Sequence, residues 1–424
     1  MGDGPCTPPA QFRALLSGAS VAENGGFAAF RYRDFTAYYV ARIFNALAVQ
    51  MVDVAIGWLV YTLTGSAFAL GLVGLCIFLP NVLLALPAGQ VADMFDRKHV
   101  LVACAGLSTF AAAGLFVVAI TGITTVPLLY ALIVVFGVSR AFSGAAGQAV
   151  VPSLVPPAFL ANAIALSSSA YQTATIAGPA IGGLLYAFGP SVVFGVTAAC
   201  FGISLLAYAM VRPRGVINRP EKLSYAYMTA GIRFIFSRPI ILGAITLDLF
   251  AVLLGGATAL LPIFAADIFL VDPFGLGLLR SAPAVGAFCM SLLLAHVSIR
   301  NHVGLRLFQV VGLFGLATVG FGLSTHFYVA MGFLFVLGAS DMVSVFIRSN
   351  LIQLETPDEM RGRVAAVNMV FVGASNELGE FESGTLAALI GPVPAVVSGG
   401  IGTVLVAIYC ARAFPQLYRR NSLS

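Results

Sequence analysis

Apolar residues run in long blocks along this chain, broken by short segments containing Gly, Pro, Asn or charge. Twelve blocks stand out, near 35–63, 67–91, 99–121, 127–147, 160–188, 191–211, 239–268, 274–296, 303–323, 327–347, 363–390 and 393–413. Each has at least 21 residues, and a hydrocarbon core about 30 Å thick needs about 20 helical residues to cross it. Pro80, Pro87, Pro179, Pro262 and Pro283 fall inside blocks. Neighbouring helices can satisfy the carbonyl that such a proline frees, so these blocks still read as helices. The pattern predicts an all-α membrane protein of twelve transmembrane helices. Turns as short as Gly65-Ser66, Gly189-Pro190 and Gly391-Pro392 place successive helices antiparallel and side by side.

The longest break, 212–238, is rich in Arg and Pro and contains a short amphipathic stretch from Leu223 to Phe236. It divides the chain into an N-terminal tail (1–33), a six-helix bundle (34–211), a linker (212–238), a second six-helix bundle (239–414) and a C-terminal tail (415–424). The first segment holds Pro5, Pro8, Pro9, Gly25 and Gly26 with no continuous apolar run, so it reads as a mobile tail and not as a secretory signal. The halves resemble each other. Gly137-Val-Ser-Arg140 recurs as Gly338-Ala-Ser-Asp341, and Pro157 with its following helix recurs at Pro357. Parallel repeats of six helices point to a transporter with its site between the repeats.

Composition agrees with a membrane setting. Of 424 residues 59% are apolar and 9% charged, against about 25% charged in soluble domains, and the mean hydropathy is +0.98. With the N-terminus inside, nineteen of the 22 Lys and Arg residues fall in inner segments or at the inner ends of spans, three (Arg42, Arg140 and Arg280) lie deeper within spans, and none lies in an outer loop. That bias predicts a multi-pass cell-membrane protein with both termini cytoplasmic. No basic stripe with interleaved aromatics is present, so nucleic acid is not an expected partner. The six cysteines are scattered singly and show no metal-ligand spacing, and neither a metal nor a cofactor is expected. Motifs of membrane enzymes such as H-E-x-x-H and G-x-S-x-G are absent from the sequence, and enzymatic activity is not expected.

The loop after the second span reads Gly89-Gln-Val-Ala92-Asp93-Met-Phe-Asp96-Arg97-Lys98. It resembles the signature loop of the major facilitator superfamily, with departures at Met94 and Asp96. Arg140-Ala-Phe-Ser-Gly144 in the fourth span is similar to that superfamily's arginine motif. Gly178-Pro179-Ala-Ile-Gly182-Gly183 in the fifth is similar to its antiporter motif, with Ala174 where a glycine is usual. Pro357-Asp358-Glu359-Met360-Arg361-Gly362-Arg363-Val364, followed by Gly373-Ala-Ser-Asn376-Glu377-Leu-Gly-Glu380, resembles the exporter branch that includes enterobactin exporters and macrolide-type efflux proteins. This resemblance implies the two-bundle fold and proton-coupled export by alternating access without identifying the substrate; an amphipathic small molecule (siderophore or drug-like) is the expected cargo, and a monomer in the lipid bilayer is expected. Import of an iron chelate or organic anion on the same fold is the alternative. It assigns gating to Gly89, Asp93, Arg97, Gly178, Pro179 and Arg363.

Charges inside spans carry the rest. A charge at the bilayer centre costs about 2.5–3.5 kcal/mol on insertion scales, so each marks a candidate site. Arg42, Asn45, Val49 and Asp53 follow i, i+3, i+7 and i+11, a single helical face, which should meet a wet cavity. In the fold implied by the resemblance, spans one, four, seven and ten line that cavity, and they carry Asp53, Arg140, Asp248 and Asp341. Proton coupling is expected at Asp53, Arg140, Asp341, Glu377 and Glu380. Substrate contact is expected at Arg42, Asn45, Gln50, Trp58, Asp248, Arg280 and Asn376.

Overall fold

The structure, a computed structural model, describes residues 27–212, 225–297 and 301–422. The predicted tail as far as residue 26 and linker residues 213–224 lie outside the described residues. The N-terminal half consists of α1 (Arg33–Thr64), α2 (Ala67–Met94), α3 (Arg97–Thr121), α4 (Val126–Val150), α5 (Leu160–Ala187) and α6 (Pro190–Met210). The linker helix is α7 (Tyr225–Ser237). The C-terminal half comprises α8 (Pro239–Leu254), α9 (Pro273–His296), α10 (Val303–Leu323), α11 (Phe327–Glu355), α12 (Asp358–Ile390) and α13 (Pro392–Ala413), with a final turn α14 (Pro415–Tyr418).

Among the described residues, ten helical segments are long and apolar enough to cross a membrane. α5 and α12 have ample length, 28 and 33 residues, but carry more polar positions. Exposed Leu83, Phe110, Ile120, Leu206, Leu316 and Leu405 give the bundle an apolar outside suited to lipid. Helix stops follow local chemistry. Gly65 ends α1 in the left-handed region at φ 59°, which a residue without Cβ adopts freely.

Two elements differ from the pattern reading. The seventh block is not one helix: α8 stops at Gly255-Gly256, and a 3-10 turn (Ala257–Leu260), a short helical turn (Leu261–Ile263) and a π turn (Phe264–Ile268) follow. A Cβ at Gly256 would lie 2.6 Å from the Gly379 carbonyl oxygen of α12, so close helix approach fixes the break. α11 continues to Glu355, eight residues past its expected end, because Arg348, Leu351 and Ile352 are all buried on one side of its last turns.

The duplication seen in the sequence is also one of packing. In the first half α1 packs on α5 and α6, α2 on α4, and α3 on α4 and α6; the second half repeats this with α8 on α12 and α13, α9 on α11, and α10 on α11 and α13. The halves meet along α2–α12 and α5–α9, two crossings that exchange under the repeat. Basic residues Arg31, Arg97, Lys98 and Arg212 cluster at one end of the bundle, termed here the Arg-rich end.

The opposite end is closed. There Val54, Tyr61 and Leu70 of the first half join Leu260, Phe264, Leu276, Phe321 and Leu334 of the second in one buried apolar cluster. Small residues let the crossings approach. A Cβ on Gly183 would lie 3.1 Å from the Gly277 Cα, and one on Gly71 would lie 3.2 Å from the Gly384 Cα. Packing of this kind is how membrane helices associate without a hydrophobic drive between them.

Candidate functional site: a chamber between the halves

Inward of that closure lies a chamber of about 790 Å³ whose wall reaches Arg42, Gly147 and Tyr208 toward the Arg-rich end. Its volume falls in the range of about 300–1,000 Å³ usual for small-molecule sites. The wall is made by both halves. Arg42, Asn45, Val49, Gln50 and Asp53 come down one face of α1, Arg140 from α4, and Tyr171 and Thr175 from α5. Arg280, Asp341, Asn376, Glu377 and Glu380 come from α9, α11 and α12.

Asp53 is the centre of the polar network. Nη2 of Arg140 donates to both of its carboxylate oxygens at 2.7 Å, a charge-assisted contact of the strong class. Arg280 Nη1 donates to the backbone carbonyl of Asp53 at 3.1 Å, so a residue of the second half holds the same turn of α1. Beside it, a lobe of about 70 Å³ is lined by Asp53, Arg140, Arg280, Glu377 and Glu380. Asn81 of α2 donates to Glu377 across the seam at 3.4 Å.

Arg42 is held at the wall by neutral oxygens. Its Nε donates to the Ser167 carbonyl at 3.1 Å, its Nη1 contacts the Tyr38 hydroxyl at 3.4 Å, and that hydroxyl donates to the Gly147 carbonyl at 2.9 Å. Among the described residues neither Arg42 nor Arg280 stands in an ion pair. Gln50 donates to Thr175 at 3.2 Å, and Asn376 donates to the Val372 carbonyl of its own helix at 2.9 Å.

Two expected contact residues stand elsewhere. Trp58 packs against the apolar cluster of the closed end and does not line the chamber, because it lies more than one turn beyond Asp53 on α1, inside the closure. Asp248 lies behind the wall and is ion-paired with Arg348, both side chains 7% exposed; α8 turns that face toward α10 and α11. Arg348 is the buried charge that sequence reading placed among the cytoplasmic arginines. Its place near the end of an apolar block made it look like one more cytoplasmic arginine. Its spacing of seven from Asp341, which puts both on one helical face, was the available signal.

The gating residues of the sequence reading are spread over several contacts. Gly178 and Gly182 seat α5 on Gln50 and Met51 of α1, while Pro179 and Gly183 face Gly277 of α9 across the halves. Gly89 lies in the last two turns of α2, Arg97 opens α3, and Arg363 stands in the second turn of α12, near the Met360 sulfur. The side chain of Asp93 lies outside the described residues.

A family model described as transmembrane secretion effector matches residues 24–421. The enterobactin exporter EntS of Escherichia coli O1:K1 is 25% identical over 393 residues, covering 91% of this chain and 92% of that protein. EntS of Shigella boydii serotype 4 is likewise 25% identical, over 390 residues and the same shares. A bacterial homolog of the human lysosomal transporter Spinster, solved inward-facing and unoccupied, superposes with a TM-score of 0.69 at 15% identity, over 91% of this chain and 95% of that one. A bacterial homologue of the iron transporter ferroportin, also inward-facing, gives 0.67 at 16% identity, over 92% and 99%. At such identities the solved structures speak for the fold, which is that of the major facilitator transporters.

Proposed function

The chain belongs to the transmembrane secretion effector family of major facilitator transporters, and on that premise we propose that it exports an amphipathic, siderophore-like or drug-like molecule in exchange for protons. The observation that carries this reading is the Asp53–Arg140 pair in a chamber built by both halves and shut at one end. In this reading the Arg-rich end is cytoplasmic, following the positive-inside bias. A ligand enters from there and is bound between α1, α4, α5 and the second half. The halves then rock about the α2–α12 and α5–α9 crossings to expose it on the other side.

Coupling follows from what the network holds together. Asp53 is tied to Arg140 through its carboxylate and to Arg280 through its carbonyl. Protonating Asp53 removes the charge that Arg140 holds, loosening α1 from α4 beside the point where the second half is attached. Glu377 and Glu380 line the same lobe and supply further proton acceptors on the opposite half. Arg42, held at the wall by neutral oxygens, favours a ligand that carries negative charge, and the tyrosines and Phe314 of the wall suit aromatic groups. A catecholate chelator combines both features, in keeping with the enterobactin exporters that the chain resembles. The protein acts as a monomer in this scheme, since both halves of the chamber come from one chain.

The test is transport in proteoliposomes with apo-enterobactin as the first probe and a macrolide as the second. Flux should run against the proton gradient, collapse with a protonophore, and fall to background in Asp53→Asn. Flux that ignores the proton gradient would remove the coupling, and flux only in the inward direction would replace export by import.

A further inference from the structure

The internal repeat carries chemistry beyond the chamber. Gly137-Val-Ser139-Arg140-Ala-Phe-Ser143 and Gly338-Ala-Ser340-Asp341-Met-Val-Ser344 correspond position by position, and each lines a small cavity inside its own half. The first cavity is bounded by Asp53, Ser108, Ser139, Arg140 and Ser143. The second is bounded by Asp248, Ser340, Asp341, Ser344 and the apolar Val310 and Phe314. The same fold position therefore holds a cation in one half and a carboxyl group in the other.

The consequence is a difference in charge count. In the first half one carboxylate meets one guanidinium, Asp53 with Arg140. In the second, Arg348 is ion-paired with Asp248, and Asp341 stands on the same face of α11 with these two as its charged neighbours. α10 presents only apolar side chains to the cavity; Arg280, Glu377 and Glu380 belong to the α9 and α12 walls of the chamber. Two carboxyl groups thus stand beside one guanidinium: Asp248 is buried and paired with it, and Asp341 is half-buried where the small cavity meets the chamber. A second carboxylate beside an acid that already holds the guanidinium is disfavoured as a charge, and one added proton makes the cluster neutral.

The hydroxyls point the same way. Ser139 donates to the Cys104 carbonyl at 2.9 Å and lies 2.7 Å from the Ser108 hydroxyl. Its counterpart Ser340 is 3% exposed, borders the cavity, and among the described residues its hydroxyl has no partner, because α10 supplies no polar residue in the place of Ser108. A buried hydroxyl without a partner is costly. The cavity is about 10 Å³, near the size that one water needs. Asp341 lines both this cavity and the main chamber, which gives the site a route to solvent.

We infer that Asp248, Arg348 and Asp341, with Ser340, form a second proton-binding site, holding one proton shared by the two carboxyl groups and separate from the Asp53–Arg140 pair. Only its place in the transport cycle rests on the proton-coupled reading; there it gives each half its own proton station.

Infrared difference spectroscopy on the purified full-length chain, stepped in pH, tests the site without any substrate. The protonated-carboxyl stretch should lose one component in Asp341→Asn and the same component in Asp248→Asn, since either leaves one carboxylate against Arg348. Proton uptake on acidification should fall by one per chain in each, and the component should persist in Asp53→Asn. Asp341→Glu, which keeps the carboxyl, should retain it at a shifted frequency and serves if the amide variants fold poorly. A component that survives in Asp341→Asn or in Asp248→Asn overturns the proposal. Flux indifferent to the proton gradient, with the infrared result intact, would sink the transport scheme and leave this site standing.

Discussion

Arg280 and Asp53 are 227 positions apart, and a guanidinium nitrogen of the one donates to the backbone carbonyl of the other at 3.1 Å. The carboxylate of Asp53 is meanwhile committed to Arg140. One residue of α1 therefore ties together its own helix, α4 of its own half and α9 of the other half. The bond uses a main-chain acceptor, which no side-chain substitution at position 53 removes.

Replacing Arg280 by Met should weaken the closed end. A hydrogen bond with a charged partner contributes about 1.5–3 kcal/mol, enough to move a two-state equilibrium by roughly ten- to a hundredfold. Spin labels on Leu63→Cys and Leu270→Cys, both exposed at the closed end, in a background without the native cysteines, should show a longer-distance population in Arg280→Met. An unchanged distance distribution would mean that this bond does not hold the halves.

Tyr61, a member of the apolar cluster of the closed end, donates its hydroxyl to Asp267, a further link between the halves. Tyr61→Phe should keep the packing and lose the link. The same label pair should report opening in the same direction as Arg280→Met, with thermal stability nearly unchanged. The two substitutions combined should exceed either alone.

Asp53→Asn should leave Arg140 without its counter-charge, and the cost should appear as a lower melting temperature. Breaking a buried pair from one side costs about 3–5 kcal/mol, and partial exposure of this pair, 17% and 30%, places the loss below that range. The double variant Asp53→Asn with Arg140→Gln should regain most of the melting temperature while flux stays at background. Recovery of flux in the double variant would show that the pair is structural only.

Gly183 and Gly277 face each other where α5 crosses α9. Gly183→Leu should wedge that crossing apart, since overpacking costs about 1–3 kcal/mol. Expected results are a lower melting temperature, a longer Leu63–Leu270 label distance and a loss of flux. Ala in place of Gly312, where a Cβ meets nothing within 4 Å, should leave all three readouts unchanged.

The helices were legible because each is written locally. An apolar block long enough for the bilayer, ended by glycine or proline, needs no distant partner to become a helix. The polar face of α1 was legible for the same reason: Arg42, Asn45, Val49 and Asp53 share one face by spacing alone, and all four line the chamber. Trp58 misled because spacing gives the direction of a side chain around a helix but not the depth at which two halves close over it. The break at Gly255-Gly256 was hidden in an apolar run, where only the approach of Gly379 from α12 forces the chain out of helix.

What the sequence determined unaided was the number and length of the apolar blocks, the side on which the basic residues gather, and the internal repeat. These depend on hydrophobicity, charge and helical period, all properties of neighbouring residues. Partnership was decided by the tertiary structure: Arg140 to Asp53, Arg348 to Asp248, and Arg280 to a carbonyl. Which cation meets which acid depends on how helices hundreds of residues apart cross, and glycines at those crossings set the distances. Charges inside a membrane must find partners, but only the packing of the two halves chooses them.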